Sequence, residues 1–136
     1  RQMLAAMVLG ADGVQVGSRF VASPEASSHI KFKEMVIAAQ EGDTVLSLKQ
    51  LTPVRLMKNN FFDQVQEAEK KCASTDELQK LLGKGRAKRG MFEGNLDEGE
   101  LEIGQVSTII KNIKPAAEIV HEMYKEYQDA LKLPVK

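Results

Sequence analysis

Residues 10–20 read Gly-Ala-Asp-Gly-Val-Gln-Val-Gly-Ser-Arg-Phe, a short apolar segment with glycines on both sides. Its centre, Val14-Gln15-Val16, has the β-branched composition of a strand that is buried on most sides. The helical spacing of apolar residues over Gln2–Leu9 predicts a helix before this strand. After it, Ser23-Pro24-Glu25 predicts the start of a second helix, with serine as the N-cap and proline in the first turn. A helix, a strand and a helix in this order form the repeating unit of an α/β fold with parallel strands.

The pattern changes after residue 42. Thr44–Leu51 predicts one further strand, and the chain beyond it is predicted to be almost entirely helical. Ser74–Glu77 has the spacing of a helix-capping box, and Pro115 opens a final helix with an apolar stripe. We therefore predict two segments, an α/β unit over residues 1–42 and a mainly helical extension over residues 43–136.

Composition limits the classes of function that the chain can have. It has 136 residues with 19 basic and 19 acidic side chains, and this zero net charge excludes a nucleic-acid binder that works through bulk positive charge. Cys72 is the only cysteine, which excludes a disulfide framework and a multi-thiolate metal site. The longest apolar run, Met3–Leu9, is far shorter than the ~20 residues of a membrane span. We expect no nucleic-acid partner, no membrane partner and a cytoplasmic location.

The predicted strand has no visible partner in this sequence. A three-residue strand at Val14–Val16 needs hydrogen-bonding neighbours, and the rest of the chain does not supply them. The sequence also begins at Arg1, without an initiator methionine, and enters an apolar segment at once. Both features lead us to expect a fragment, in which the companion strands either lie upstream or are supplied by another chain. Such a piece would expose apolar surface and self-associate.

Gly17 and Ser18 are the sharpest candidates for a ligand site. They follow the predicted strand, and their backbone N–H groups would lie at its carboxyl end, where (β/α)₈ barrels bind ligands and often phosphate. Glycine lets a phosphate oxygen approach the backbone, and serine adds its hydroxyl as a donor. On these residues alone, a plain tight turn is the simpler explanation.

Residues 10–20 resemble the end of the barrel in the nitronate monooxygenase (nitropropane dioxygenase) family and in its relative, the FMN-containing enoyl-acyl-carrier-protein reductase. The resemblance continues in further motifs, namely Glu25–His29 with Lys31–Lys33, Asp43–Val45 with Arg55 and Asn59, and Gly104–Val106 with Ile109-Ile110. Three positions depart from the family pattern, since Phe32 replaces a tyrosine, Val54 an alanine and Thr108 a glycine.

This resemblance implies the C-terminal fragment of an FMN-type (β/α)₈ TIM barrel, its last helix–strand–helix, with a mainly helical extension. Arg1-Gln2-Met3 would continue one phosphate loop, and Gly17 and Ser18 would carry the final phosphate contact. Gln15 and Gln105 are weaker candidates for contacts with the cofactor, FMN. The family's catalytic histidine lies upstream, so the resemblance implies no catalytic residue in this chain and an inactive isolated piece.

The activity implied for the intact parent is the oxidation of alkyl nitronates with oxygen. The alternative within the resemblance is the reduction of an enoyl thioester, and in both cases the substrate is a small molecule and FMN supplies the chemistry. A third hypothesis is a small helical module that binds a protein partner. The module leaves Val14–Val16 unexplained, because it gives the strand nothing to pair with.

The two histidines and the cysteine have simpler explanations than catalysis. His29 is expected to make local hydrogen bonds near a helix start, and His121 to lie on a solvated helix face. They are too far apart in sequence to suggest a joint metal site, and no second cysteine completes a ligand set. Cys72 falls on a helical stripe with Phe61 and Val65, which predicts a buried packing thiol.

Lys84–Arg89 contains four basic residues in six positions. Such a cluster could meet an acidic carrier protein, a nicotinamide phosphate or a nucleic acid. It has no interleaved aromatic residue for base stacking, and the acidic stretch Glu93–Glu102 follows it directly. A solvated loop is therefore the favoured interpretation.

Overall fold

The fold is taken from a computed structural model, which describes residues 1–132. Its α-helices and strands, in chain order, are α1 (Gln2–Val8), α2 (Ser18–Val21), α3 (Ile30–Ala38), β1 (Thr44–Ser47), β2 (Val54–Met57), α4 (Asn60–Lys70), α5 (Thr75–Leu82) and α6 (Ala116–Leu131). A π-helical turn at Lys88–Phe92 and a 3₁₀ helix at Gln105–Ile109 lie between α5 and α6.

Strands β1 and β2 form an antiparallel hairpin, the only sheet within residues 1–132. Neighbouring residues of a strand point to opposite faces, and this alternation lets β2 serve two hydrophobic cores. Leu56 packs with Phe61 and Val65 in one core, while Met57 packs with Phe32 in the other. The hairpin is thus the wall between the two cores.

The first core lies closest to the predicted ligand turn. Its buried members are Ala22, Phe32, Val36, Ala39, Met57, Leu101, Ile103 and Ile110. The second core is built from the hairpin, α4 and α5, and its buried members are Leu48, Leu56, Phe61, Phe62, Val65 and Leu78. The first core draws residues from both sides of position 42, and the predicted two-segment division stays a prediction.

Several predicted elements are confirmed. The first helix occupies Gln2–Val8 and is followed by Gly10 with φ +96°, a backbone conformation that favours glycine. The capping box is complete, because the Ser74 hydroxyl accepts the N–H of Glu77 and the Glu77 carboxylate accepts the N–H of Ser74. The final helix begins immediately after Pro115.

The strand predicted at Val14–Val16 is wrong for this chain. These residues form neither strand nor helix, and their backbone makes no hydrogen bond with residues 1–132. A β-strand exists only where a neighbour completes its ladder, and the described part of the chain offers none at this position. Segment 14–16 therefore carries strand-forming residues without strand pairing.

The predicted start of the second helix is also wrong. Ser23-Pro24-Glu25 lies in turns, and the Ser23 hydroxyl donates to the carbonyl of Phe20 at 2.8 Å instead of capping a helix. Helix α3 begins at Ile30, where the His29 ring accepts the N–H of Lys31 at 3.2 Å. The Glu25 carboxylate instead accepts the N–H of Ala116 and so caps α6.

Two further expectations need correction. The segment predicted as one strand is a strand only over Thr44–Ser47, because Leu48 has φ +55° and turns the chain towards β2, which the sequence did not predict. The Cys72 thiol is exposed, and it is not a buried packing group. Helix α4 ends at Lys70, and Cys72 adopts φ +56°, so the helical stripe does not reach it.

Residues 1–132 contain neither a candidate membrane-spanning helix nor a cluster of candidate metal ligands. None of the helices there has the length and hydropathy of a membrane span. Nor does this part of the chain bring three or more histidine, cysteine, aspartate or glutamate side chains together as metal ligands.

Candidate functional site

A cavity of about 500 Å³ opens beside the predicted ligand turn. Its walls come from the start of α1, segment 14–19, the 3₁₀ helix with Ile110, and the inner face of α6. The lining side chains are Arg1, Gln2, Met3, Val14, Gln15, Val16, Gly17, Ser18, Arg19, Val106, Ile109, Ile110, Ile119, Glu122, Met123 and Glu126. The walls combine apolar residues with polar and charged ones, which lie on the N-terminal segments and on α6.

Gly17 leaves the backbone of the turn accessible. No atom lies within 4 Å of the place where a Cβ would stand on this residue. The N–H groups of Gly17 and Ser18 donate to no acceptor within residues 1–132. Two unused donors beside open space form a surface that an anion oxygen can approach.

Ser18 connects the turn to the far part of the chain. Its hydroxyl oxygen accepts the N–H of Gly104 at 3.1 Å, across 86 positions of sequence. Gly104 precedes the 3₁₀ helix, and the adjacent Ile103 donates its N–H to the carbonyl of Arg55 in β2 at 3.2 Å. The turn is therefore connected to the β-hairpin through the backbone of Ile103 and Gly104.

Two arginines line the cavity together with the turn. Arg1 and Arg19 both line it, and the Arg19 guanidinium donates to the Asn112 carbonyl at 3.1 Å and to its Oδ1 at 2.7 Å. These bonds fix the orientation of Arg19 at the cavity wall. The sequence argument did not select Arg19, although its place directly after Ser18 in the motif was an available signal. Glu122 and Glu126 lie on the α6 wall, and Glu122 pairs with Lys114.

The structure brings together most, but not all, of the predicted site residues. Gln15, Gly17 and Ser18 share the cavity with residues 1–3. Gln105 follows Gly104 but its exposed side chain is not part of the cavity wall. Gly104 itself was not selected as a site residue, because its contact with Ser18 exists only in the folded chain.

The histidines lie outside the cavity. His29 caps α3, and its backbone N–H donates to the Met91 carbonyl at 2.8 Å. This local role agrees with the expectation for His29. His121 is exposed on α6, also as expected.

The basic cluster is divided between structure and solvent. Arg86 stacks over the Phe61 ring, with its guanidinium carbon 4.4 Å from the ring centroid, and donates to the carbonyls of Leu81 and Leu82. Lys84, Lys88 and Arg89 are exposed, and Lys88 pairs with Glu93 at 3.4 Å. Three charges thus face solvent, while Arg86 anchors the loop.

The donor set suits a phosphate. The cavity is lined by Gly17 and Ser18, whose backbone N–H groups are unused, by Arg1 and Arg19, and by apolar side chains, with Glu122 and Glu126 on the α6 wall. Phosphate groups are bound by backbone N–H clusters and arginine, and apolar walls suit the ring of a cofactor. The residues present therefore fit the phosphate end of a flavin mononucleotide.

Comparison with known proteins assigns residues 1–126 to a family model described as nitronate monooxygenase. The probable nitronate monooxygenase of Staphylococcus saprophyticus is 29% identical over 133 residues, which are 96% of this chain and 37% of the relative. The probable nitronate monooxygenase of Bacillus subtilis is 30% identical over 106 residues, which are 77% of this chain and 30% of the relative.

Among solved structures, FabK from Thermotoga maritima superposes with a TM-score of 0.85 at 34% identity, over 96% of this chain and 41% of that chain. A single-site mutant of the same FabK gives a TM-score of 0.79 at 33% identity. The predicted fold class, part of a (β/α)₈ barrel with a mainly helical extension, is confirmed at this level. The chain spans 30–41% of the length of these relatives.

Proposed function

The chain belongs to the nitronate monooxygenase family, and we propose on that premise that it is the C-terminal part of an FMN-dependent oxidoreductase. The proposed reaction of the whole protein is the oxidation of alkyl nitronates with oxygen. The observation that carries the proposal is one shared cavity. Arg1–Met3 and Gly17-Ser18, two segments that the resemblance assigned to phosphate binding, line the same space.

The role of this chain is to hold the phosphate of FMN. In the proposal, the N–H groups of Gly17 and Ser18 and the Ser18 hydroxyl donate to phosphate oxygens, while Arg1 and Arg19 add compensating charge. Gln15, on the same wall, is a weaker candidate for a contact, and Gln105 is the weakest because it lies off the wall. When bound, FMN takes up and passes on an electron pair. No catalytic residue is assigned to this chain.

Enoyl thioester reduction remains the second candidate activity. It is supported by the FabK superpositions, whose identities of 33% and 34% exceed the 28–30% of the curated monooxygenases. Oxygen uptake with an alkyl nitronate and the oxidation of a nicotinamide cofactor with an enoyl thioester separate the two. We expect the complete protein to show the first activity, and the second activity alone would replace the assignment.

A substitution at Gly17 tests the phosphate site. Gly17→Val places a branched side chain where the phosphate approaches, and because no protein atom lies within 4 Å of the new Cβ, the fold should tolerate it. We expect the purified complete protein to lose its bound flavin. Ser18→Ala should weaken FMN binding by about 1 kcal/mol, the contribution of one hydrogen bond.

Gly13→Val is the matched control. Gly13 also has open space around its Cβ position, but it does not line the cavity. Flavin content measured by absorbance should therefore be unchanged in Gly13→Val. If Gly17→Val retained full flavin occupancy, the phosphate assignment would be wrong.

A further inference from the structure

We propose that Gly104 is a positioning residue for the anion site, because its N–H holds the Ser18 hydroxyl so that its proton is offered to a phosphate oxygen. The proposal rests on the proposed function, since it takes the cavity beside Gly17 and Ser18 as the phosphate site. The proposal adds to the site a residue from the segment after position 42, and the role of this residue depends only on its backbone N–H.

The hydrogen-bonding capacity of serine carries the first step. A hydroxyl has one proton to donate and two lone pairs to accept. The Gly104 N–H, 3.1 Å from Ser18 Oγ, occupies one lone pair, and the hydroxyl donates to no acceptor within residues 1–132. The proton therefore remains for a ligand in the cavity that Ser18 lines. A hydroxyl that already accepts a hydrogen bond is also a stronger donor.

The backbone at Gly104 is itself fixed. Its carbonyl accepts the N–H of Ser107 at 3.0 Å, and the preceding Ile103 is tied to Arg55. Because these contacts belong to the hairpin and the 3₁₀ helix, the position of the Ser18 hydroxyl depends on residues far beyond the turn. Anion affinity is thereby coupled to the segment that follows residue 42.

Close approach, and not backbone conformation, is what requires glycine at position 104. Its φ of −68° and ψ of 152° are open to any residue. A Cβ there would lie only 2.6 Å from Ser18 Oγ, with its next neighbours at 3.7 and 3.8 Å. Gly104→Ala should therefore push the hydroxyl out of its position without straining the backbone and without deleting any polar group.

The test compares FMN with riboflavin, which lacks the phosphate. The complete protein is stripped of flavin, and dissociation constants for both are measured by fluorescence for the wild type, Gly104→Ala, Ser18→Ala and the double variant. We expect each single variant to bind FMN roughly fivefold more weakly, the effect of one hydrogen bond. Riboflavin affinity should not change, and the double variant should be no weaker than Ser18→Ala, because both substitutions act through one hydroxyl.

Three results would overturn the proposal: unchanged FMN affinity in Gly104→Ala, an equal loss of riboflavin affinity in a folded variant, or additive losses in the double variant. If Gly104→Ala fails to fold, the FMN affinity of Ser18→Ala is the deciding measurement, and an unchanged affinity in Ser18→Ala overturns the proposal. Gly17→Val shows whether the phosphate-site assignment or only the positioning role of Gly104 fails. When it abolishes FMN binding and Gly104→Ala does not weaken it, only the positioning role fails, whereas flavin retention in Gly17→Val removes both.

Discussion

Three polar residues of the motifs that resemble the family form hydrogen bonds within the fold. The Asp43 carboxylate accepts the N–H of Gln40 at 2.8 Å, and Arg55 donates to the Thr44 carbonyl at 2.9 Å. Asn59 accepts the N–H of Phe62 and donates to the carbonyls of Leu96 and Gly99, each at 2.8 Å. These side chains hold the hairpin and the start of α4, and they do not line the cavity.

Asn59→Ala should therefore damage stability. It removes the cap of α4 and leaves two carbonyls without their donor, which together should lower the free energy of unfolding by about 2 kcal/mol. The measurement is the denaturation midpoint of the purified protein. The neighbouring Asn60→Ala is the control, because the exposed Asn60 side chain bonds only to the partly exposed Glu98, and its effect should stay within about 0.5 kcal/mol. Equal effects of the two substitutions would contradict this account.

Glu100 gives a pH-dependent prediction. Only 7% of this residue is exposed, and burial, reinforced by nearby Glu102, raises the pKa of its carboxyl, with Arg86 acting in the opposite direction. A raised folded-state pKa means that the ionised form costs stability above that pKa, and that the cost disappears below the ordinary value of 4.5.

Glu100→Gln should consequently raise the melting temperature at neutral pH, and the gain should shrink as the pH falls towards 4 and below. Glu41→Gln, at an exposed carboxylate, is the control and should change little at either pH. A gain that grows on acidification would show that burial does not penalise the Glu100 charge.

At the scale of elements, local sequence patterns predicted the helices, whose hydrogen bonds form within their own segment. Apolar spacing and capping residues located α1, α5 and α6, because a helix forms its hydrogen bonds within its own segment. Segment 14–16 was wrongly predicted to be a strand and β2 was not predicted, because strand formation depends on a partner elsewhere in the chain. The role of Glu25 could not be predicted for a similar reason, since its carboxylate accepts the N–H of Ala116, which is distant in sequence.

The end of α4 leads to a chemical prediction. Since the helix stops at Lys70 and Cys72 is exposed, iodoacetamide should alkylate Cys72 in the folded protein, as read by peptide mass spectrometry. The control is the same reaction in denaturant, which should give little further modification at this position. Alkylation only after unfolding would mean that the thiol is packed, as the helical stripe had predicted.

At the scale of the whole molecule, only part of the candidate site could be predicted from the sequence. Gly17 and Ser18 were predicted from their motif, whereas the contribution of Gly104 depends on a contact across 86 positions. Large apolar side chains remain exposed at the end of α1, where Val8 is 77% and Leu9 89% exposed. Together with the unpaired segment 14–16, they agree with a surface that the remainder of a barrel would cover.

The isolated 136-residue chain should accordingly bind negligible FMN and self-associate. One phosphate turn beside an open cavity cannot bury a cofactor, and exposed apolar side chains favour association. Sedimentation velocity and flavin titration of this chain check both points. A monomer that binds FMN tightly would contradict the expectation that the site needs further segments.

The visible absorbance spectrum of the complete protein, purified without added flavin, tests the central claim most directly. We expect a yellow protein with stoichiometric FMN, which is released on denaturation and is absent from Gly17→Val. A folded, colourless complete protein that stays colourless after incubation with FMN would contradict it.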